Sequence, residues 1–104
     1  MINPIIFNHL DEIKNTCDKH HVKALFVIGS AARNTMHSLS DVDLLYSFKE
    51  KEIPGDQYAD NFFDLKNSLE SILKMKVDLV AQDYLRNPYF INAINRDKTL
   101  VYEG

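Results

Sequence analysis

One apolar run, Val22–Ile28, limits the folds open to this chain more than any other stretch. Every residue of the run is apolar except Lys23, whereas a strand with one face in water alternates apolar and polar residues. The run therefore predicts a strand that is buried on both faces, in the middle of a sheet. Gly29 follows the run directly and is expected to end the strand.

Two amphipathic helices are predicted, one before this strand and one well after it. Apolar residues recur at steps of three and four in the first 20 residues and again beyond the charged loop KEKEIPGD, which is the spacing of one helix face. In the first helix these residues are Ile6, Leu10, Ile13 and Cys17, with Phe7 beside them. In the second helix, of about four to five turns, they are Tyr58, Phe62, Leu65, Leu69 and Ile72.

Three more strands and a short helix complete the pattern. DVDLLYSF and MKVDLVAQ each predict a strand, and RDKTLVYEG predicts a turn followed by an edge strand. Asn87 and Pro88 match a helix N-cap followed by proline at the first helical position, so we expect a helix there. Its inward residues are expected to be Phe90, Ile91 and Ile94. Between the first two strands, SAARNTMHSLS is expected to form one or two helical turns and a loop.

The order of these elements favours an α/β (α+β) fold in which helices pack on a small mixed sheet. The chain has 104 residues, and its sequence contains no repeat, linker or low-complexity tract. We therefore expect a single domain over residues 1–104, large enough for one hydrophobic core.

Charge and cysteine content indicate which partners and which cellular compartment suit this chain. Its 12 Lys and Arg residues are outnumbered by 15 Asp and Glu residues, and no basic cluster is present, so stable nucleic-acid binding is disfavoured. Cys17 is the only cysteine, which excludes an internal disulfide and suits a reducing compartment. Without a basic leader or an apolar stretch of roughly 20 residues, the chain is expected to be cytoplasmic and not to bind a membrane.

Three aspartates interrupt strands that are otherwise apolar. Asp41 and Asp43 are two residues apart, so their side chains would point to the same face of a strand and repel each other. A divalent cation is the simplest remedy, and oxygen-only ligands suit Mg²⁺ or Mn²⁺. Asp78 lies in the same way within KVDLV. If the second and third strands are neighbours, the three carboxylates converge at one edge of the sheet.

Gly29 and Ser30 complete the pattern at the end of the first strand. Glycine lets a phosphate approach the backbone, and a helix that begins there would direct N–H groups and its positive dipole end at the phosphate. Ser30 would add a hydroxyl donor, and Arg33 would contact a triphosphate or hold an aspartate. These parts together would bind a nucleoside triphosphate with its metals, for in-line attack by a hydroxyl on the α-phosphate.

Each of these features has an ordinary structural explanation when taken alone. Gly-Ser at a strand end is usually a plain turn, and the aspartates would serve as strand-edge residues or as a cap. The combination of all of them is what favours an active site.

The segments GSAAR, SDVDLL and VDLV resemble the minimal nucleotidyltransferases of the polymerase β superfamily. The resemblance covers essentially the whole chain and implies the polymerase β-like nucleotidyltransferase fold. It implies that Asp41 and Asp43 bind two divalent ions and that Asp78 completes the catalytic site as a metal ligand or general base. The nucleotide-binding residues that it implies are Gly29, Ser30, Arg33 and Ser40.

One residue departs from the family pattern. The family usually has glycine after the arginine, where this chain has Asn34. Asparagine tolerates a left-handed conformation better than most residues, although less freely than glycine. The turn is therefore expected to survive, while the fit of the substrate would change. All three aspartates are kept, which predicts an active enzyme.

The resemblance also implies a function and a partner. Minimal members commonly accompany a HEPN-domain protein, and the implied activity is magnesium-dependent transfer of AMP from ATP to a tyrosine of this toxin, with the chain as antitoxin. One alternative is an antitoxin that inhibits a HEPN partner by occluding it without catalysis. Another is a catalytic subunit that adenylates a small molecule together with a separately encoded helical subunit. The nucleobase, the acceptor and the oligomeric state stay open.

Overall fold

The run Val22–Ile28 forms strand β1, and β1 lies inside a four-stranded sheet as the sequence predicts. The computed structural model describes residues 4–29 and 41–104. The other strands are β2 (Val42–Phe48), β3 (Val77–Ala81) and β4 (Thr99–Glu103). Their order is β3-β2-β1-β4, so the predicted edge position of the last strand is confirmed. Strand β1 is antiparallel to both of its neighbours, whereas β2 and β3 are parallel.

Four helices of the described residues pack on this sheet. They are α1 (Pro4–Phe7), α2 (Leu10–Lys19), α3 (Tyr58–Leu73) and α4 (Pro88–Asp97). Three 3₁₀ turns lie at Glu50–Glu52, Gly55–Gln57 and Gln82–Tyr84. Within these residues, no helix combines the length and the apolar character that crossing a bilayer requires. The helical turns predicted for SAARNTMHSLS fall on residues 30–40, outside the described residues.

The prediction of one continuous N-terminal helix was wrong. The chain turns at Asn8 and His9, where the His9 N–H donates to the Ile6 carbonyl at 3.1 Å, and the His9 carbonyl then accepts the first bond of α2. Neither Asn nor His is a strong helix former, so interrupting the helix there costs little free energy. Ile6 still packs into the core, but Phe7 is turned away from it and is 64% exposed.

The two faces of the sheet are covered by different helices. Helices α2 and α3 pack on one face, where Leu25, Leu44 and Leu65 belong to the main core. Helix α4 packs on the other face, where Leu45 and Ile94 belong to a smaller cluster. Since successive side chains of a strand point to opposite faces, residues 43 and 45 of β2 face the side of α4.

Helix α4 begins as the sequence predicts. The Asn87 side chain accepts hydrogen bonds from the backbone N–H groups of Tyr89 and Phe90, at 2.9 and 3.3 Å, and Pro88 follows the cap. The expectation that Phe90 faces inward was wrong, because its side chain is 45% exposed. Ile94, one turn further on, is the residue of α4 that is buried. Phe90 instead borders a cleft that opens beside the aspartates.

Candidate active site

Strand register brings the predicted aspartates together at one end of the sheet. Asp43 of β2 lies directly beside Asp78 of β3 in the parallel pair. Ile28, the last residue of β1, lies on the other side of Asp43 in the antiparallel pair. Gly29 follows Ile28, so the end of β1 and both carboxylates occupy three adjacent strands. The condition under which the sequence predicted convergence, that the second and third strands are neighbours, is confirmed.

Asp41 lies just before β2 and is exposed, whereas Asp43 is half-buried. The two residues are separated by the fully buried Val42, whose N–H donates to the Lys76 carbonyl at 2.9 Å. This bond ties the start of β2 to the start of β3. Because Val42 faces the main core, Asp43 points to the opposite face, on the side of α4, and Asp41 is near enough for its charge to act on Asp43.

Negative charge is concentrated at this end of the sheet. Burial raises the pKa of Asp43 above its ordinary value, and the neighbouring charges of Asp78 and Asp41 raise it further. Among residues 4–29 and 41–104, the Asp, Glu, His and Cys side chains form no group of three close enough to share one metal ion. Carboxylates that repel one another are expected to turn apart until a cation draws them together.

Gly29 has a backbone conformation that favours glycine and a neighbour, Asp43, that would have to move to admit a side chain. Its φ is +68°, in the left-handed region that other residues rarely adopt. A Cβ added at this position would lie 2.8 Å from Oδ2 of Asp43, well inside van der Waals contact. The missing side chain therefore makes room for the carboxylate of Asp43 at the end of β1. From the sequence, Gly29 was predicted to contact a phosphate, and its contact with Asp43 was not predicted.

The remaining residues predicted to bind the nucleotide lie outside the described residues. They are Ser30, Arg33 and Ser40, and Asn34, which replaces the usual family glycine, lies there too. Their assignment stays a prediction.

A cleft of about 270 Å³ opens beside Asp43 and Asp78, on the side of α4. Its apolar wall is formed by Ile28, Val80, Phe90, Ala93 and Ile94, and Asp97 lies at its border. This wall was not predicted from the sequence, because Phe90 was expected to lie in the core, whereas the inward position expected for Ile94 is confirmed. The available signal was the position of Phe90 in the first turn after the Asn87 cap, where a helix can extend beyond the sheet that it covers.

A second, larger groove of about 620 Å³ lies at the outer edge of β3. Asp41 and Asp78 border it, together with Lys66, Glu70 and Lys76. Glu70 accepts a hydrogen bond from the Val77 N–H at 2.9 Å and lies 3.3 Å from the Lys66 ammonium group. Asp78 therefore lies between two openings, an apolar cleft and a charged groove. No sequence pattern indicated this groove.

Comparison with known proteins agrees with this geometry. A family model described as polymerase beta, nucleotidyltransferase, matches residues 11–104. The chain belongs to the polymerase β nucleotidyltransferase family. This confirms the resemblance drawn from GSAAR, SDVDLL and VDLV, and it makes the chain a nucleotidyltransferase.

Individual relatives of this nucleotidyltransferase cover nearly its full length. The Methanocaldococcus jannaschii protein MJ0128, assigned as a protein adenylyltransferase, is 36% identical over 101 residues, which are 97% of this chain and 93% of the relative. A solved structure assigned as a minimal nucleotidyltransferase has a TM-score of 0.75 at 25% identity and covers 95% of each chain. The mixed α/β fold predicted for this family is thereby confirmed.

A more distant likeness concerns the fold alone. The structure of the tri-AMPylated Shewanella oneidensis HEPN toxin in complex with the MNT antitoxin contains a chain similar to this nucleotidyltransferase. The TM-score is 0.63 at 13% identity, and the match covers 95% of this chain and 73% of the other.

Proposed function

We propose that this nucleotidyltransferase transfers AMP from ATP to a tyrosine hydroxyl of a HEPN-domain toxin and thereby acts as its antitoxin. The M. jannaschii relative is assigned as a protein adenylyltransferase, and a protein of the same fold is an antitoxin found with an AMPylated HEPN toxin. Both similarities support the modification of a protein as the chemistry of this family branch.

The observation that carries the proposal is the pairing of Asp43 with Asp78 on adjacent parallel strands. Two carboxylates held side by side on adjacent strands destabilise the fold unless a bound cation neutralises them, because like charges that face each other across strands repel. Their position next to Gly29 at the end of β1 leaves the ligand open access along the apolar cleft. A metal-bound triphosphate matches this arrangement.

Magnesium, or manganese in its place, is the cation that fits the residues present. Burial raises the pKa of Asp43, and the charges of Asp78 and Asp41 raise it further. A divalent cation bound there would relieve this repulsion. Carboxylate oxygens are the ligands that Mg²⁺ prefers, and Mg²⁺ usually combines one or two of them with substrate phosphates. Asp41 and Asp43 would hold the two ions, with Asp78 as a further ligand of one. Bound there, the ions would neutralise the phosphates and polarise the phosphorus that is attacked.

Each of these residues would then have a separate role in the transfer. Asp41 and Asp43 would orient the α-phosphate through the bound ions, and Gly29 would keep the end of β1 free of a side chain. Asp78, exposed at the edge of the sheet, would accept the proton of the tyrosine hydroxyl as this oxygen bonds to the α-phosphorus. The bond from that phosphorus to the bridging oxygen breaks, and pyrophosphate leaves.

Labelled ATP tests this proposal directly. The purified protein would be incubated with Mg²⁺ and a lysate of its own host, beside the double variant Asp41→Asn/Asp43→Asn. Label from α-labelled ATP should appear on one protein band with the wild type and be absent with the variant. Label from γ-labelled ATP on the same band would contradict nucleotidyl transfer, because the γ-phosphate leaves with pyrophosphate.

Retention of a HEPN protein from the same lysate provides the second measurement. Absence of label, with a HEPN protein still retained equally by wild type and variant, would replace the proposal with inhibition by occlusion. In that case the double variant Asp41→Asn/Asp43→Asn would protect cells from the toxin to the same degree as the wild type.

A further inference from the structure

The cleft beside the aspartates combines a charged end with an apolar wall. Asp43 and Asp78 lie at its charged end, and Val80, Ala93 and Phe90 contribute to its wall. Phe90 is 45% exposed, although it is a large apolar side chain on a helix that covers the sheet. Aromatic rings bind flat ligands by offset stacking, and binding sites typically combine apolar walls with a few polar groups.

We propose that this cleft binds the nucleobase of the triphosphate, with Phe90 as the surface on which the base stacks. Phe90 is then the residue by which the protein distinguishes a nucleoside triphosphate from a bare triphosphate. The inference rests on the proposed function, because it requires the phosphates to lie at Gly29 and the aspartates.

The size of the cleft suits a base. Its volume of about 270 Å³ corresponds to roughly nine water molecules at the volume of liquid water. A purine ring with its substituent atoms fills a space of that order, whereas a folded protein segment does not fit. The wall is continuous with the aspartates, so a base in the cleft leaves the phosphates within reach of Asp43.

The in-line geometry of the transfer places the acceptor protein in the larger groove at the edge of β3. Gly29, Asp43 and Asp78 follow one another across three adjacent strands. Attacking and leaving oxygens lie roughly in line in this chemistry, so pyrophosphate that leaves on the side of Gly29 requires a hydroxyl that arrives from the side of β3. The larger groove, lined by Lys66, Glu70 and Lys76, lies at that edge. The acceptor protein therefore occupies this groove, and the cleft along α4 is left for the base.

Binding measurements with two ligands test the role of Phe90 without any transfer reaction. Dissociation constants for ATP and for inorganic tripolyphosphate, both with Mg²⁺, would be measured by calorimetry for the wild type and for Phe90→Ala. Loss of a stacking side chain typically weakens the binding of a base by about fivefold or more. We expect that loss for ATP and an unchanged constant for tripolyphosphate, which carries no base.

Tyr89→Ala is the matched control, because Tyr89 is the neighbouring aromatic on the same helix, is 86% exposed and does not line the cleft. It should leave both constants unchanged. Phe90→Leu keeps apolar bulk without a ring and should weaken ATP binding less than Phe90→Ala. Melting temperatures without ligand would confirm that every variant is folded.

Fluorescence provides an independent measurement. The chain contains no tryptophan, so Phe90→Trp introduces a single tryptophan at the proposed stacking position, and this tryptophan can be excited at wavelengths that the five tyrosines hardly absorb. ATP should quench its emission and tripolyphosphate should not, while the emission of Tyr89→Trp should respond to neither ligand.

The outcomes separate this inference from the proposed function. If the wild type binds ATP and Phe90→Ala binds it equally well, or if Phe90→Ala weakens both ligands to the same degree, the inference is overturned and the proposed function stands. If the wild type binds neither ATP nor tripolyphosphate with Mg²⁺, both are overturned.

Discussion

The carboxylate of Asp43 occupies the space in which a side chain at residue 29 would lie. A Cβ built on Gly29 is 2.8 Å from Oδ2 of Asp43. The position of the Asp43 carboxylate therefore depends on glycine at the end of the neighbouring strand β1. The pair links the conformation of β1 to the position of a proposed metal ligand.

Gly29→Ala should therefore impair both stability and activity. The left-handed φ of +68° costs a residue with a Cβ roughly 1–2 kcal/mol, and the new methyl group displaces Asp43. We expect a melting temperature lower by several degrees and loss of nucleotidyl transfer. Gly55→Ala is the control, because a Cβ at Gly55 meets no atom within 4 Å, and its φ is not in the positive range. Equal melting temperatures for the two variants would contradict the role of the contact.

Asp43→Asn should stabilise the ligand-free protein at neutral pH. The raised pKa of Asp43 means that the folded state holds the proton more tightly than the unfolded state does, so the ionised form opposes folding. The wild type therefore gains stability as pH falls through this raised pKa, and the difference from the variant closes in acid. We expect an increase of at most about 4 °C in melting temperature at neutral pH.

In the presence of magnesium and ATP, the wild type should be more stable than Asp43→Asn. A ligand that binds only the folded state raises its stability, so the melting temperature of the wild type should rise and that of Asp43→Asn should rise much less. Asp64→Asn, a substitution at an exposed position of α3, is the control and should follow the wild type in both conditions. A variant that is less stable than the wild type without ligand would contradict the repulsion inferred here.

Asn87→Ala should loosen the helix that forms the wall of the cleft. Loss of an N-cap side chain costs about 1 kcal/mol, which in a chain of this size lowers the melting temperature by roughly 4–8 °C. Because Phe90 lies in the first turn of α4 and donates its N–H to Asn87, the affinity for ATP should fall as well. Asn92→Ala replaces an exposed residue inside the same helix and should leave the melting temperature unchanged or slightly higher.

Glu70 should make the stability of the β3 edge depend on pH. The hydrogen bond that its carboxylate accepts from the Val77 N–H lowers the pKa of Glu70, and the nearby Lys66 lowers it further. The stabilisation is thus present above the ordinary glutamate pKa, and it is lost as pH falls through the lowered value. Glu70→Ala should reduce the melting temperature by about 4 °C near neutral pH and by less in acid.

Glu70→Gln separates the charge from the hydrogen bond. The amide oxygen can still accept from the Val77 N–H, so this variant should keep part of the stability and lose the dependence on pH over the range in which glutamate titrates. The same pH dependence in wild type and Glu70→Gln would exclude Glu70 as its source.

Sequence predicted the strands better than it predicted the helices. The bounds of β1 followed from a run that is apolar except for Lys23 and ends at Gly29, a signal that depends only on local chemistry. The break between α1 and α2 carried no comparable signal, because Ile6, Leu10 and Ile13 keep helical spacing across it. That break is made by backbone hydrogen bonds at Asn8 and His9, and apolar periodicity does not report these.

The candidate site was predictable in its composition and not in its shape. The aspartates were identified because charge in an apolar strand is costly. The register that places Asp43 beside Asp78 depends on which strands become neighbours, and tertiary packing decides this. The misassigned Phe90 has the same cause. An N-cap locates the start of a helix, whereas the side chains of its first turn that the sheet covers are settled only when the helix packs.

The parallel pairing of β2 and β3 has a consequence for protein synthesis. Parallel neighbours need a crossover connection, and here α3 connects the two strands, so Asp78 emerges from the ribosome well after Asp43. A nascent chain that ends before β3 carries Gly29 and Asp43 but lacks the third carboxylate and the helix that follows it. Such a chain is not expected to hold a nucleotide, and translation of the later half therefore sets the earliest moment at which the protein can act.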